Sequence, residues 1–266
     1  MNNLISIVIP NYNSALYINQ TLDSVLKQTY KYFEIIVVDD KSSDNSISLI
    51  EDYIKENPNI NIKLICLNDN YGMPAGPRNI GVESANGSWI AFLDCDDIWH
   101  PLKLELQMKA LIDNNCSFCS SKMMNFKHSN EIVFDEIFNL KINRINFQKQ
   151  LLKNRTPTSS IVVKRDLMLK FKFNESKEYF SAEDFDCWLK IHENIKNSIK
   201  INNTLLFYRV ADGQISGNKF RMILKNYMVL KNYRFNNGEK LGLIRYYYLA
   251  TQGLFAFYYR VMKKTL

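Results

Sequence analysis

A short apolar run followed by a polar cluster recurs along the first hundred residues, and this pairing narrows the fold more than anything else in the chain. Residues 4–9 are apolar up to Pro10, and Ile18, Leu22, Val25 and Leu26 then fall on one helical face. Residues 33–38 are rich in β-formers and stop at Asp39-Asp40, after which Ile47, Ile50, Tyr53 and Ile54 repeat at helical spacing behind a Ser43 or Asp44 cap. Residues 62–67 read as a third strand, 78–85 as a helix and 89–93 as a fourth strand, and Pro101 opens a further helix. This alternation predicts an α/β fold, a mainly parallel central sheet with helices on both faces. Ligands of such sheets bind beyond the carboxyl ends of the strands. Polar clusters stand at three of those ends: Pro10 to Asn13, Asp39-Asp40, and Asp94 to Asp97.

The middle of the chain carries less pattern. Residues 125–150 mix Asn, Lys and Phe without a period and are expected to be irregular or partly helical. Residues 160–163 read as a strand, 185–193 as a helix and 205–208 as a short strand. From Lys219 two helices are expected, divided by the turn signal Asn236-Asn237-Gly238. At 266 residues, 46% hydrophobic and 23% charged, the chain can bury one large core and a small appendage.

The acids are the chemically informative residues. Asp94-Cys95-Asp96-Asp97 follows a strand directly, and side chains two apart share a face, so Asp94 and Asp96 can address one ion. Carboxylate and diphosphate oxygens suit a hard divalent cation, Mn2+ or Mg2+, which would offset charge on a departing diphosphate. A helix cap would need only one acid, and three in four positions repel one another. Asp39-Asp40 alone would serve a turn and cap shared with Ser42, Ser43 and Asp44. Glu183, Asp184 and Asp186 precede the apolar Trp188, Leu189 and Ile191, where a helix dipole favours acids. An acid there can also accept a proton from an incoming hydroxyl.

Four segments in this order resemble the inverting family 2 glycosyltransferases with the GT-A fold: Val8 to Asn13, Val37 to Asp44, Arg78-Asn79-Ile80-Gly81 running on to Ala91 through Asp97, and Glu183-Asp184. The resemblance implies a UDP-sugar donor and a divalent metal. It assigns Asp40 to the nucleotide base, with Pro10, Asn11 and Tyr12 lining the same pocket, and Arg78 and Asn79 to the nucleotide side of the cleft. Asp94 and Asp96 match the D-x-D pair, with Cys95 between them, Asp96 on the metal and Asp94 nearer the ribose. Asp184 matches the catalytic base, with Glu183 and Trp188 on the acceptor side. The implied division is a catalytic domain over 1–215, its nucleotide-sugar half about 1–100 and acceptor half about 101–215, followed by a helical segment over 216–266. Three positions depart from the pattern. Lys41 stands where relatives carry Gly, Cys95 replaces a small residue and is open to oxidation, and Val210-Ala211-Asp212 replaces a His-containing stretch. Arg209 is then expected at the diphosphate and Ser216 in a loop over the site.

Between Lys240 and Lys264 the chain interleaves Tyr246, Tyr247, Tyr248, Phe255, Phe257, Tyr258 and Tyr259 with Arg245, Arg260 and Lys263. Arg245 interrupts the apolar run, so an interfacial helix on an anionic membrane, or one packed on the catalytic domain, is expected rather than a spanning one. The net charge of +7 suits an anionic surface or a phosphorylated substrate, and no nucleic-acid recognition motif accompanies it. Cys116 and Cys119 form a lone C-x-x-C without the second pair a zinc site needs. With no secretory signal evident, a cytoplasmic protein peripheral to the inner membrane face is expected, acting on a glycan or lipid-linked glycan in lipopolysaccharide, O-antigen or capsule synthesis. Two other readings compete. A sugar nucleotidyltransferase would need a Gly-rich loop that Pro10 to Asn13 does not provide, and the other is a non-catalytic, membrane-attached glycan-binding protein of the same fold.

Overall fold

The computed structural model describes residues 3–210 and 219–262, so Ser216 lies outside the described residues. The elements of the first half run β1 (Ile5–Asn11), α1 (Ile18–Leu26), β2 (Phe33–Asp39), α2 (Ser46–Glu56), β3 (Ile62–Cys66), α3 (Ala75–Glu83), β4 (Trp89–Phe92), β5 (Ile98–Trp99) and α4 (Lys103–Asp113). The second half continues β6 (Phe118–Phe126), β7 (Ile142–Ile145), α5 (Phe147–Leu152), β8 (Val162–Lys164), α6 (Arg165–Lys170), α7 (Glu183–Asn194), β9 (Ser198–Arg209), α8 (Lys219–Asn232) and α9 (Ile244–Met262).

A nine-stranded sheet in the order β3-β2-β1-β4-β8-β6-β9-β5 organises the molecule, with β7 also paired to β9. β3, β2, β1 and β4 are mutually parallel, as the alternation predicts. Beyond β4 the sheet turns mixed: β8 runs antiparallel to β4 and β6, while β6 and β9 are parallel. Period-two alternation in β1 and β2 splits the core between the two faces. Ile5, Ile7, Ile9, Ile35 and Val37 pack with Leu22 of α1, Ile50 of α2 and Leu104 of α4. Val8, Ile36, Val38, Ile90 and Phe92 pack with Val82 of α3, Met168 of α6 and Trp188 of α7. Each such side chain, fully buried, contributes about 1.5–3 kcal/mol. Helix α3 lies so close to β1 that a Cβ on Gly81 would stand 2.4 Å from Val8 Cγ1, and only glycine fits there.

The structure differs from the sequence reading in residues 118–145 and 198–204. Expected as irregular or unassigned, these contribute β6, β7 and most of the twelve-residue β9. Two register shifts in β6, between Ser121 and Met123, break its alternation. β7 is paired with β9 alone, and its consecutive Asn143 and Arg144, on opposite faces, are both exposed, which leaves no alternation to read.

The C-terminal helices extend the core rather than standing apart from it. Val229, Leu230 and Tyr233 near the end of α8, with Leu241, pack on Leu151 of α5 and on Phe185 and Leu189 of α7, with Tyr248 and Leu249 of α9 behind them. Leu243, Tyr247 and Leu254, spaced at about one and three helical turns, stay outside at 81, 59 and 67% exposed. No helix among the described residues is long and apolar enough to cross a membrane.

Candidate active site

The carboxyl ends of β2 and β4 and the start of α7 carry the predicted acids, and the end of β1 between them carries Pro10 to Asn13. Because β1 lies between β2 and β4, the polar ends of those two strands are about 10 Å apart. Asp39 and Asp40 divide their work. Asp39 is wholly buried and accepts from the Asn11 amide at 2.6 Å, the Ser42 hydroxyl at 2.5 Å and the Ser42 N–H at 2.8 Å. It therefore ties β1 to the turn after β2. Lys41 adopts φ +60° in that turn, the left-handed conformation that glycine takes without strain, which accounts for its standing at a glycine position. Asp40 accepts the N–H groups of Tyr71 and Gly72 at 2.8 and 3.2 Å, and its pKa is raised by burial. That carboxylate orders the loop between β3 and α3.

At the end of β4 the acids again separate by role. Asp97 turns into the core and accepts the Arg209 N–H at 3.0 Å. Asp94 and Asp96 remain partly open. Burial and the neighbouring Asp94 charge push Asp96 up to about 6. Two hard oxygen donors crowded together fit a divalent cation, which would remove their repulsion. Among the described residues no group of three or more His, Cys, Asp or Glu converges as a metal cage. A cation here would complete its coordination with diphosphate oxygens and water, as a Mg2+ or Mn2+ partner of a nucleotide normally does. The Cys95 thiol is pushed up to about 12 by burial and by Asp96, which suppresses the thiolate that oxidation requires.

Arg78 joins the two sides of the site. Its guanidinium, buried between α3, β4 and α7, donates to Asp94 at 2.7 Å and to Glu183 at 3.2 Å. One cation thus holds the strand-end acids and the first residue of α7 in a fixed relation. Asp184 follows, with one oxygen accepting the Phe185 N–H at 2.6 Å. Its other oxygen, Oδ2, has only long contacts, with the Asn154 amide at 3.4 Å and the Thr158 hydroxyl at 3.5 Å. Burial, then the adjacent Glu183, raises Asp184 to about 7, although part of the side chain still reaches solvent. A carboxylate held there is matched to proton abstraction near neutral pH.

The Glycosyl transferase family 2 model matches residues 6–176. The chain belongs to that family. It is similar to the Escherichia coli UDP-Glc:alpha-D-GlcNAc-diphosphoundecaprenol beta-1,3-glucosyltransferases WfgD, at 34% identity over 92% of this chain and 90% of WfgD, and WfaP, at 32% over 94% of each. Among solved structures, Staphylococcus aureus TarS 1–349 with UDP-GlcNAc superposes with a TM-score of 0.68 at 23% identity, covering 86% of this chain and 66% of that one. The Pyrobaculum calidifontis mannosyltransferase PcManGT, in complex with GDP-Man and Mn2+, gives 0.68 at 19%, covering 94% of this chain and 72% of that one. These neighbours share the GT-A arrangement.

Several side chains of this family 2 glycosyltransferase stand elsewhere than the sequence suggests. Trp188 does not face the acceptor: it is 0% exposed and packs edge-on against Phe118 and Phe173. Arg209 is near Asp96 but not directed at a diphosphate. It is buried, donating to the Asp96 carbonyl at 2.8 Å and to Gln20 at 2.9 Å, and it stacks over Tyr17. Asn11 is buried on Asp39 and Ser46, so it shapes the pocket wall from behind. Asn79 grips the 173–175 segment through Phe173 O and Glu175 rather than the nucleotide side. Pro10, one residue before the end of β1, pairs with Val38, and Tyr12 stands 53% exposed just beyond that end. Sequence reasoning missed Asn154 and Thr158 beside Asp184, and Ser159, whose hydroxyl accepts the Asp94 N–H at 3.1 Å. They lie in the patternless stretch after α5, and no spacing rule marks them.

Proposed function

We propose that the enzyme transfers glucose from UDP-glucose, with inversion, to a hydroxyl of an N-acetylglucosamine carried on a lipid diphosphate. The observation that supports the reading is the Arg78 bridge, which ties Asp94 at the end of β4 to Glu183, the residue before Asp184. The names of WfgD and WfaP supply the donor and acceptor classes. Asp40 and the ordered 70–72 loop suit the nucleoside end, and Asp94 the ribose. Asp96, with Asp94 beside it, would hold Mn2+ or Mg2+, which when bound supplies positive charge to the diphosphate.

Asp184 Oδ2 takes the proton of the acceptor hydroxyl as its oxygen attacks the anomeric carbon. The bond from that carbon to the nucleoside diphosphate breaks on the opposite face, and the diphosphate keeps the electron pair. Attack from the back converts an α-linked donor into a β-glycoside. Glu183 is locked on Arg78, and the Phe185 N–H holds Asp184 Oδ1, so Oδ2 is the oxygen left for the acceptor. The exposed face of α9, with Lys240 and Arg245 at its start, suits peripheral contact with the membrane that carries such an acceptor.

The test is purified enzyme with UDP-glucose, Mn2+ and a short-chain lipid-diphosphate N-acetylglucosamine, with the product linkage read by NMR. A β-linked disaccharide supports the reading. An α-linked product, or free glucose at the same rate with and without acceptor, overturns it.

A further inference from the structure

A single turn, Thr158–Ser160, meets both halves of the site. Strand β8 runs antiparallel to β4 with Val162 opposite Ala91, and continuing that register brings Ser159 opposite Asp94. Backbone pairing has ended there, and the Asp94 N–H is accepted by the Ser159 hydroxyl at 3.1 Å. The preceding residue, Thr158, directs its own hydroxyl at Asp184 Oδ2, at 3.5 Å. Neighbouring Cα atoms lie about 3.8 Å apart, so one dipeptide touches the backbone of a metal-side acid and the carboxylate of the base. Arg78 ties the same two segments through side chains, whereas this turn ties them through a backbone continuous with β8.

The turn does not need those two hydroxyls to close. The Ser160 N–H donates to the Pro157 carbonyl at 2.9 Å, the Ile161 N–H to the Thr158 carbonyl at 3.1 Å, and the Ser160 hydroxyl to the Pro157 carbonyl at 2.7 Å. Two further side chains fix its place from behind. The Trp99 indole N–H donates to the Ser159 carbonyl at 2.7 Å, and the Gln107 amide to the Ser160 carbonyl at 2.8 Å. Both side chains are fully buried, so water does not compete for these bonds. Lys103 covers the Trp99 ring: its Nζ lies 3.9 Å from the ring and has no hydrogen-bond partner among the described residues. A buried ammonium without hydrogen bonds costs stability, and the contact it makes instead is with the ring whose N–H reaches Ser159.

We propose that Ser159 is a positioning residue for the transfer: with Trp99 behind it and Thr158 beside it, it fixes where Asp94 leaves β4 relative to Asp184. The role rests on the reading of Asp94 and Asp96 as the metal site and of Asp184 as the base. Neither Ser159 nor Trp99 needs to touch the substrate. They hold a spacing, and a displacement of about 1 Å between reacting groups can cost about 10²-fold in rate.

Two variants test this. Ser159→Ala removes the acceptor for the Asp94 N–H, and Trp99→Phe removes the indole donor while leaving a ring under Lys103. Electron paramagnetic resonance reads Mn2+ binding in saturating UDP, urea titration reads the folded fraction, and kinetics separate kcat from KM. Ser159→Ala should weaken Mn2+ binding about tenfold and lower kcat about tenfold or more, with the acceptor KM within about twofold of wild type. Trp99→Phe should lower kcat in the same sense, and the double variant should fall within about twofold of Ser159→Ala alone, because both act through one turn. Mn2+ affinity and kcat within about twofold of wild type in folded Ser159→Ala would overturn the proposal. So would losses that multiply in the double variant, or a kcat loss no larger than the loss of folded protein. If the wild type binds Mn2+ with UDP and Ser159→Ala weakens it, yet neither transfers glucose, the hold on Asp94 stands and the reading of the reaction falls.

Discussion

Replacing Asp184 by Asn should make the enzyme more stable and nearly inactive, and the stability gain should depend on pH. Asp184 is raised from an ordinary aspartate value of 3.8 to about 7 by burial and by Glu183. A carboxylate raised in the folded state binds its proton more tightly there than in the unfolded chain. The stability it lends is complete below 3.8 and is lost as pH climbs to about 7. Three units at 1.36 kcal/mol each set a ceiling of about 4 kcal/mol, and solvent reaching part of the side chain reduces this to about 2 kcal/mol. The asparagine keeps an acceptor for the Phe185 N–H and does not titrate. Differential scanning calorimetry should find the Asp184→Asn variant melting about 4–8 °C above wild type at pH 8, with a smaller gap at pH 5. Transfer should fall about 10²- to 10⁴-fold. A variant that melts below wild type at pH 8, or a gap of the same size at both pH values, would refute the argument that Asp184 is held ionised at a cost.

Three further outcomes follow from named contacts. Trp188→Ala should cost about 3–5 kcal/mol of stability by opening a cavity among Phe92, Phe118 and Phe173, with no selective rise in acceptor KM; chemical denaturation and kinetics check this. Arg78→Met strands the Asp94 and Glu183 carboxylates and should destabilise by about 3–5 kcal/mol in urea while lowering kcat more than it raises donor KM, with Arg78→Lys recovering part of both. Leu243→Glu/Tyr247→Glu should abolish flotation with anionic vesicles at low salt and leave the melting temperature unchanged, since both side chains are exposed; undiminished flotation would dismiss this face as the contact.

The first hundred residues were legible because β1, β2 and β4 are buried on both faces and the helices on one, with β3 at the half-exposed sheet edge, so burial writes its period into the chain. α3 begins at Ala75 rather than 78, since Gly76 and Pro77 obscure its first turn. The acids were legible as strand-end clusters, but their individual duties were not. Asp39, Asp40, Asp94, Asp96 and Asp97 look alike in sequence, and only packing buries Asp39, Asp40 and Asp97 while leaving Asp94 and Asp96 partly open. Arg78 read as a nucleotide-side residue because its two partners lie 16 and 105 residues away. Trp188 read as acceptor-facing because it follows the base closely, yet it is on the helix face turned toward the sheet. Residues 142–158 carried no readable signal, since an edge strand and a side-chain-pinned loop owe their shape to distant partners such as Lys200 and Asp184.

The most direct test is a crystal structure with Mn2+ and a non-hydrolysable UDP-glucose analogue, using anomalous scattering to place the metal. The account predicts a manganese peak about 2.1 Å from an Asp96 carboxylate oxygen. It also requires the uracil near Asp40 and the anomeric carbon facing Asp184 Oδ2 from the side opposite the diphosphate. A metal bound away from Asp94 and Asp96, or a sugar whose anomeric carbon turns from Asp184, would contradict it.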